Sequence, residues 1–212
     1  MIICYYTEFT HQWNEQELVD KLALLPEKLR QEALRKREWI DKQLSIGGKL
    51  LLLQLLKQLK CDISLSDLKY NDYLRPYFDA RIDFNIAHSG NIVICCGTAE
   101  GQIGIDIEQV KEIDLADYTD YFTPNEWDHI NNYPNKYDGF YDFWTRKEAA
   151  LKAIGTGFHT PLASVDVSGE SLHYDDQTFF FQPLNISGDY KCHLAATVFP
   201  ANIKLTRVNL CP

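Results

Sequence analysis

Residues 83–110 decide the fold, and they read DFNIAHSGNIVICCGTAEGQIGIDIEQV. Three runs in this stretch have the apolar composition of strands, at 83–88, 91–98 and 102–110;. Ser-Gly and Glu-Gly pairs separate the runs, and such pairs are typical of tight turns between antiparallel strands. We therefore predict a three-stranded antiparallel meander.

The chain before this meander has the pattern of one strand followed by helices. Residues 1–6 are rich in Ile and Tyr, which predicts a strand;. A short helix is expected near residues 15–25, and Pro26 is suited to begin a longer helical run. The Gly-Gly pair at 47–48 predicts a bend ahead of residues 49–60, whose leucines indicate a helix in the core;.

The chain after the meander repeats this order of helix and then strands. We expect a short helix near residues 124–130 and a strong one over 138–154, with Gly155 ending the second. The sequence has no clear repeat and no low-complexity linker, so the pattern is that of an α+β protein built from two similar-sized halves that pack closely. Further strands are predicted at residues 164–167, 178–181 and 193–199.

Composition and charge narrow the function classes. The chain has 212 residues, of which 45% are hydrophobic and 24% charged, as expected for a globular protein of one or two domains;. The net charge is −9, yet residues 21–60 hold ten Lys or Arg and four Asp or Glu. An acidic protein is a poor candidate for nonspecific nucleic-acid binding, whereas one basic patch suits a small polyanionic ligand. A solvated helix face is the simpler explanation of the same charges.

The cysteines and the apolar segments indicate a cytoplasmic protein without a signal peptide or a membrane span. The longest leucine run is short and flanked by lysines, and the N-terminus lacks a basic leader;. The cysteine spacing predicts neither a zinc site nor a disulfide framework, so a reducing compartment is expected. The six cysteines are Cys4, Cys61, Cys95, Cys96, Cys192 and Cys211.

Two acidic residues in the last strand of the meander mark the candidate site. Alternate side chains of a strand share a face, so Asp106 and Glu108 point the same way from the GIDIE run at 104–108;. Neighbouring carboxylates repel unless a cation lies between them, and Mg²⁺ takes such oxygen ligands together with substrate phosphate. A solvent-facing strand edge with two acids is the alternative.

A helix and a turn supply the other candidates. Glu148 and Lys152 are four residues apart and share one helix face;. They form either a routine surface ion pair or a third carboxylate beside a phosphate-binding ammonium. His88 precedes Ser89-Gly90 at a strand end. It is either incidental to a hairpin turn or holds a phosphate together with nearby backbone N–H groups.

Together, three blocks of sequence resemble the signature of the Sfp-type 4'-phosphopantetheinyl transferases. The blocks are FNIAHSG at 84–90, GIDIE at 104–108 and FWTRKEAALKAIGTG at 143–157. LPEKLRQ at 25–31 and the pair Arg75-Pro76 extend the likeness over most of the chain. Two departures are Tyr-Leu-Arg-Pro at 73–76, where the family has Y-G-K-P, and Ala87, where many members have Ser or Thr.

The resemblance implies a fold and a reaction. The fold is a monomeric, pseudo-twofold pair of α+β subdomains, residues 1–103 and 104–212, with coenzyme A between them. The reaction moves the 4'-phosphopantetheine arm of coenzyme A to a serine hydroxyl of an apo acyl or peptidyl carrier protein and releases adenosine 3',5'-bisphosphate. Fatty-acid, polyketide and nonribosomal-peptide carriers all stay open, as does the use of acylated coenzyme A.

The resemblance also assigns roles to residues by their position. It makes Asp106, Glu108 and Glu148 the ligands of Mg²⁺. Glu148 is then the candidate base for the carrier serine, directly or through a metal-bound water, and Lys152 the cation near the pyrophosphate. Contacts with the phosphates of coenzyme A fall to Lys28, Arg75 and His88.

Two further hypotheses concern partners and rival functions. The acidic stretch at 109–130 carries four aromatic residues that predict either a carrier-docking surface or a local core. A Mg²⁺-dependent nuclease or phosphodiesterase, and a noncatalytic binding protein of the same fold, are the rival functions. The acidic net charge argues against nucleic acid as a partner. The four aromatic residues are Tyr118, Tyr121, Phe122 and Trp127.

Overall fold

The computed structural model describes residues 1–157 and 160–210, which contain ten strands and five α-helices. Short 3₁₀ turns lie between some of these elements. The elements in chain order are β1 (Ile2–Glu8), α1 (Glu15–Ala23), α2 (Glu27–Leu34), α3 (Trp39–Gln58), β2 (Lys69–Tyr70), β3 (Pro76–Tyr77), β4 (Asp83–Ser89), β5 (Ile92–Thr98), β6 (Ile103–Gln109), α4 (Pro124–Asn131), α5 (Lys136–Ile154), β7 (Ser171–Tyr174), β8 (Gln177–Pro183), β9 (Tyr190–Ala196) and β10 (Ile203–Arg207).

Two four-stranded sheets form the frame. The first has the order β10-β1-β5-β4, and the second has the order β6-β9-β8-β7. The predicted hairpin of β4 and β5 is confirmed, with Ile86 opposite Cys95. The third strand of the expected meander is wrong: β6 pairs with β9, because β1 and β4 already occupy both edges of β5. The mixed α+β class is confirmed, whereas the division at 103/104 stays a prediction.

Side chains join the two sheets where β4 meets β6. Every second residue of β4 turns toward β6, as strand alternation requires. Three of these side chains accept hydrogen bonds from backbone N–H groups of β6, which fixes the register of one sheet against the other. Asp83 Oδ2 accepts from Ile103 N at 2.8 Å, Asn85 Oδ1 from Ile105 N at 3.1 Å, and Ser89 Oγ from Gln109 N at 3.1 Å.

The helix α3 packs on the first sheet and is continuous across its Gly-Gly pair. A Cβ atom at Gly47 would lie 2.7 Å from the ring of Phe9, and one at Gly48 would lie 3.0 Å from Ile86. The helix is continuous across this pair, and the two glycines allow close packing there, whereas the predicted weak point or bend stays a prediction. The leucines that follow are buried, as expected.

The helix α5 packs on the second sheet in the same way. Gly155 ends it in the left-handed conformation, with φ of 84°, as predicted;. A Cβ atom at Gly104 of β6 would overlap backbone atoms of Ala149 and Ala153 in α5. Gly104 thus lets α5 lie directly on β6, and this contact brings the GIDIE run against the helix that carries Glu148.

A buried ion pair replaces the strand that was predicted at 164–167. Lys147 and Glu126 are both 0% exposed, with Lys147 Nζ 2.8 Å from Glu126 Oε2. The ammonium also donates to the carbonyl oxygens of Leu162 and Val165, and Glu126 Oε1 accepts from Val167 N at 2.9 Å. The predicted strand is wrong because these backbone groups serve the ion pair. The segment forms a 3₁₀ turn at Leu162–Ser164 instead.

The cysteines differ from expectation at one pair. Cys4 and Cys96 lie opposite each other on β1 and β5 and form a disulfide, with their Cα atoms 4.1 Å apart. The expectation of no disulfide is wrong here because strand pairing joins residues that are 92 positions apart in the chain. Cys211 lies outside the described residues. Within the described part, none of the helices combines the length and apolar character that a membrane crossing needs.

Candidate active site

A cavity of about 350 Å³ opens where β4, β6 and α5 meet. It collects five of the seven residues that the sequence singled out, drawn from three different elements. Its lining consists of Ile86, Ala87, His88, Asp106, Glu108, Trp144, Glu148 and Lys152.

The acidic residues take up the predicted arrangement on β6. Asp106 and Glu108 share one face of the strand, and the packing of α5 at Gly104 adds Glu148 from the helix. Lys152, one turn after Glu148, places its ammonium 2.5 Å from Asp106 Oδ1. Glu108 Oε2 accepts a hydrogen bond of 2.6 Å from the hydroxyl of Ser89. The cavity therefore holds three carboxylates and one ammonium.

Two carboxylate oxygens in this cavity are buried and have no hydrogen-bond donor in the described structure. They are Oδ2 of Asp106 and Oε1 of Glu148. Buried oxygens of this kind are costly unless a cation or a proton meets them. Together with Glu108 they form an oxygen donor set of the type that Mg²⁺ prefers. In the described ranges, however, no group of three His, Cys, Asp or Glu side chains is already arranged around a single metal position.

Burial sets the acid–base character of these groups. It raises the pKa of Glu148 to about 7: Lys152 opposes the rise, while repulsion from Asp106 and Glu108 adds to it. Burial also raises the pKa of Asp106 against Lys152, and that of Glu108 against the Ser89 hydroxyl. Burial lowers the pKa of Lys152, but the surrounding carboxylates outweigh it and hold the pKa above its ordinary value. Of the three acids, Glu148 is therefore the one that titrates near neutral pH in the metal-free site.

The raised pKa of Glu148 predicts a pH-dependent stability. Because the folded pKa of about 7 exceeds the ordinary value of 4.5, this group stabilises the fold below about pH 4.5 and loses that contribution as pH rises through about 7;. The full contribution is on the order of 3 kcal/mol. In the presence of a chelator, we expect Glu148→Gln to gain that much stability relative to the natural chain between about pH 5 and about pH 8. Urea unfolding at both pH values measures it, and a constant difference would contradict the assignment.

A second, basic cavity of about 760 Å³ adjoins the first and shares Ile86 and His88 with it. Lys49, on α3, lines this cavity. Burial lowers the pKa of Lys49, with Lys36 acting in the same direction and Glu32 against it. Partial desolvation of the imidazole lowers the pKa of His88 as well, with Lys152 acting in the same direction and Asp41 against it. The lining is Glu32, Arg35, Lys36, Asp41, Leu44, Ser45, Gly48, Lys49, Ile86 and His88.

Known proteins are similar to this chain over the part that contains the acidic cavity. A model of the 4'-phosphopantetheinyl transferase superfamily matches residues 102–198, the span that includes Asp106, Glu108, Glu148 and Lys152. A Haemophilus influenzae protein, provisionally named as a 4'-phosphopantetheinyl transferase, is 34% identical over 160 residues, which cover 72% of this chain and 67% of the relative. The chain belongs to this superfamily.

Other relatives confirm the resemblance to the Sfp type. The 4'-phosphopantetheinyl transferase gsp of Aneurinibacillus migulanus is 34% identical over 128 residues, which cover 58% of this chain and 53% of the relative. The 4'-phosphopantetheinyl transferase Sfp of Bacillus subtilis is 37% identical over 121 residues, which cover 56% and 51%. The chain thus spans about half the length of these two curated relatives.

Two residues that the superfamily pattern singled out line neither cavity. Lys28 is exposed on α2, with its ammonium 5.2 Å from the ring centre of Tyr70. Arg75 lies at the junction of the halves, where its guanidinium contacts Asp83 at 2.8 Å. It also donates to the carbonyl oxygens of Lys152 and Ile103, at 2.9 and 3.0 Å. Their phosphate contacts stay predictions.

The departure from Y-G-K-P has a structural counterpart. Leu74 stands where the family motif has glycine, and it adopts a φ of 62° while its side chain is 79% exposed. That backbone conformation is one that glycine adopts without cost. The chain has therefore kept the turn although it has lost the residue that favours it.

The contacts of Arg75 predict a stability effect. Arg75→Ala removes the cationic partner of Asp83, which is largely buried, and two further hydrogen bonds, to the carbonyl oxygens of Lys152 and Ile103. We expect the free energy of unfolding to fall by about 2–3 kcal/mol, measured by urea denaturation. Arg81→Ala, at a nearby exposed arginine, is the matched control. Equal effects of the two changes would show that the junction contacts contribute nothing.

The aromatic residues of 109–130 mostly form a local core. Phe122 is buried, and Tyr118 and Trp127 are partly buried against α5. Trp144 stacks on Phe140, with ring centres 5.8 Å apart, and extends this core to the edge of the acidic cavity. The structure supports the local-core alternative for Tyr118, Phe122 and Trp127, whereas Tyr121 is 41% exposed.

Sequence reasoning gave no role to Lys36 and Lys49. Both lie in the basic window of residues 21–60, whose charge pointed to a polyanion without naming the residues that would meet it. The available signal was Lys49 itself, a charge directly after Gly48 and ahead of a leucine run in a core helix. A lysine at such a position is rarely buried without a polar partner or access to solvent, so it can indicate a polar cavity beside the helix.

Proposed function

We propose that this protein transfers the 4'-phosphopantetheine arm of coenzyme A to a serine hydroxyl of an apo acyl or peptidyl carrier protein. One observation carries the proposal: three carboxylates and Lys152 converge on a cavity that adjoins a basic cavity through His88. The first suits a pyrophosphate with its cation, and the second suits a further phosphate. The superfamily supports the same reaction.

Coenzyme A would bind across both cavities. Its 3'-phosphate suits the basic cavity, where Arg35, Lys36 and Lys49 offer charge-assisted hydrogen bonds;. Its pyrophosphate suits the region between His88 and the acidic cavity. Lys28 and Arg75 are added contacts that rest on the family pattern alone.

The residues of the acidic cavity supply the chemistry. Asp106, Glu108 and Glu148 would hold Mg²⁺, which when bound neutralises charge on the pyrophosphate and on the leaving bisphosphate. Glu148 takes the serine proton, directly or through a water molecule, because its carboxylate lines the cavity in which the serine would meet the phosphate;. The serine oxygen bonds to the phosphorus next to pantetheine, and the bond from that phosphorus to the bridging oxygen breaks. Lys152 stabilises the charge that develops on the phosphoryl oxygens.

We also propose the setting of this reaction. The protein acts as a monomer in the cytoplasm, where the Cys4–Cys96 disulfide would be open to reduction;. Its subdomains are residues 1–103 and 104–212, and it needs neither nucleic acid nor a membrane. The net charge of −9 supports the absence of a nucleic-acid partner;.

The test is to incubate the protein with coenzyme A, Mg²⁺ and an apo carrier protein, and to weigh the intact carrier by mass spectrometry. A gain of one phosphopantetheine supports the proposal. Cleavage of added DNA without such a gain would favour the nuclease. Coenzyme A binding with no turnover would favour the noncatalytic binding protein. Omitting Mg²⁺ should stop the gain.

The basic cavity predicts a kinetic effect at Lys49. Lys49→Ala removes one cation from a phosphate that does not react, so we expect KM for coenzyme A to rise about tenfold with kcat little changed. Lys57→Ala, at an exposed position of the same helix, is the control. With dephospho-coenzyme A, which lacks the 3'-phosphate, the change at Lys49 should have no effect. A KM for coenzyme A unchanged by Lys49→Ala would place the 3'-phosphate elsewhere.

A further inference from the structure

A third cavity, of about 610 Å³, lies between α5 and the strands β8 and β9. It shares no lining residue with the two cavities of the proposed active site. Its volume falls within the range of small-molecule sites in proteins, about 300–1,000 Å³. The lining residues that carry the argument are Arg146, Glu170, Phe180, His193 and Phe199.

His193 brings a buried polar group to this cavity, and its proton can be placed from its neighbours. The residue is 1% exposed, and its Nδ1 lies 2.8 Å from the hydroxyl oxygen of Thr145. That hydroxyl lies 2.7 Å from the carbonyl oxygen of Tyr141, an approach that needs the hydroxyl proton between the two oxygens;. The hydroxyl therefore accepts from Nδ1–H, and Nε2 of His193 carries a lone pair.

Nε2 of His193 lacks a donor in the described structure. It is buried without a hydrogen-bond partner, and its nearest charged neighbour is Oδ1 of Asp142 at 3.6 Å, which is also an acceptor. Burial lowers the pKa of His193 to about 4, so the ring is neutral at neutral pH. Two neighbouring acceptors with no donor between them are unfavourable when buried, so a donor from outside the protein would stabilise them.

Arg146 and two phenylalanine rings of the lining, Phe180 and Phe199, further restrict the kind of ligand that fits this cavity. Nε of Arg146 is a buried donor that has no hydrogen-bond partner among the described residues. A terminal nitrogen of the same guanidinium lies 3.1 Å from Oδ2 of Asp142. Phe199 is 72% exposed, and its ring centre lies 5.4 Å from that of Phe180. Asp142 balances the charge of Arg146 at the buried end of the cavity, and the carboxylate of Glu170 lies at the solvent-exposed rim. The buried end therefore favours an uncharged group.

We propose that this cavity binds a small, uncharged aromatic molecule that carries a hydroxyl group. The hydroxyl donates to Nε2 of His193 and accepts from Nε of Arg146, which satisfies both unpartnered atoms with one group;. The ring packs against Phe180 and covers Phe199;.

The test uses 4-fluorophenol and 4-fluoroanisole, which differ in the hydroxyl proton, and follows their binding by fluorine NMR. We expect saturable binding of 4-fluorophenol, with 4-fluoroanisole at least about fivefold weaker because it cannot donate. Phe199→Ala should weaken 4-fluorophenol about threefold or more, whereas Val19→Ala, which also removes an exposed apolar side chain, should not. His193→Phe should bind the two probes alike.

Three results would overturn the proposal. They are an absence of saturable 4-fluorophenol binding up to its solubility limit, equal binding of both probes to the natural chain, and displacement of the probe by coenzyme A. Equal binding would mean that water alone satisfies His193, and displacement would place the probe in the proposed active site. Since Phe199 is exposed, its variant tests the cavity even if His193→Phe does not fold.

Discussion

Asp106→Asn is expected to reduce transfer of phosphopantetheine by at least about 10³-fold while the protein stays folded. Asp106 is buried in the acidic cavity, pairs with Lys152 and keeps one oxygen without a donor. Asparagine has the same shape but lacks the charge, so it removes one of three carboxylates without opening a hole. Intact-mass analysis of the carrier over time measures the rate.

The control for Asp106→Asn separates charge at the site from charge in general. Asp120→Asn makes the same chemical change at an exposed residue and should leave the rate unaltered. The unfolding midpoint of Asp106→Asn should stay near that of the natural chain, because Lys152 still faces Glu148 and Glu108. An Asp106→Asn protein with full activity would show that this carboxylate takes no part in the reaction.

Lys147→Met is expected to lower the free energy of unfolding by about 3–5 kcal/mol. The change leaves Glu126 fully buried with no cation, and it removes the donor that holds the carbonyl oxygens of Leu162 and Val165. Burial lowers the pKa of Lys147, and the hydrogen bond and charge of Glu126 oppose this shift. The ammonium therefore depends on Glu126 and the two carbonyl oxygens for its stabilisation. Urea denaturation gives the difference.

The double change Lys147→Met with Glu126→Leu is the informative partner. It replaces both charges by apolar groups and should recover much of the lost stability, since an uncompensated buried charge is the main cost of the single change. A loss below about 1 kcal/mol for Lys147→Met would contradict the claim that the single change leaves an uncompensated buried charge.

Local patterns predicted much of the fold, and the errors arose where distant segments meet. The alternation of β6 placed Asp106 and Glu108 on one face, and Gly155 ended α5 as its type indicates. The partner of β6 could not be predicted, because its pairing with β9 depends on which edges of β5 are free. The Gly-Gly pair of α3 likewise has its meaning only beside Phe9 and Ile86.

The candidate site shows the same limit. Asp106, Glu108 and the Glu148–Lys152 pair were found because each lies within a short motif with a regular side-chain spacing;. Lys49 and Lys36 were not found, because their nearness to His88 is created by the packing of α3 on β4. The contacts of Arg75 with Asp83 and with carbonyl groups in two other elements also depend on tertiary structure.

A titration of the protein with Mn²⁺, followed by electron paramagnetic resonance with and without coenzyme A, tests the proposed metal site. We expect one bound ion per chain, bound more tightly when coenzyme A is present. Asp106→Asn and Glu148→Gln should each weaken this binding strongly, while Asp120→Asn should not. Equal Mn²⁺ affinity in all four proteins would contradict the claim that the three carboxylates hold one divalent ion. Mn²⁺ binding that does not change with coenzyme A would contradict the claim that this ion also contacts the pyrophosphate of coenzyme A.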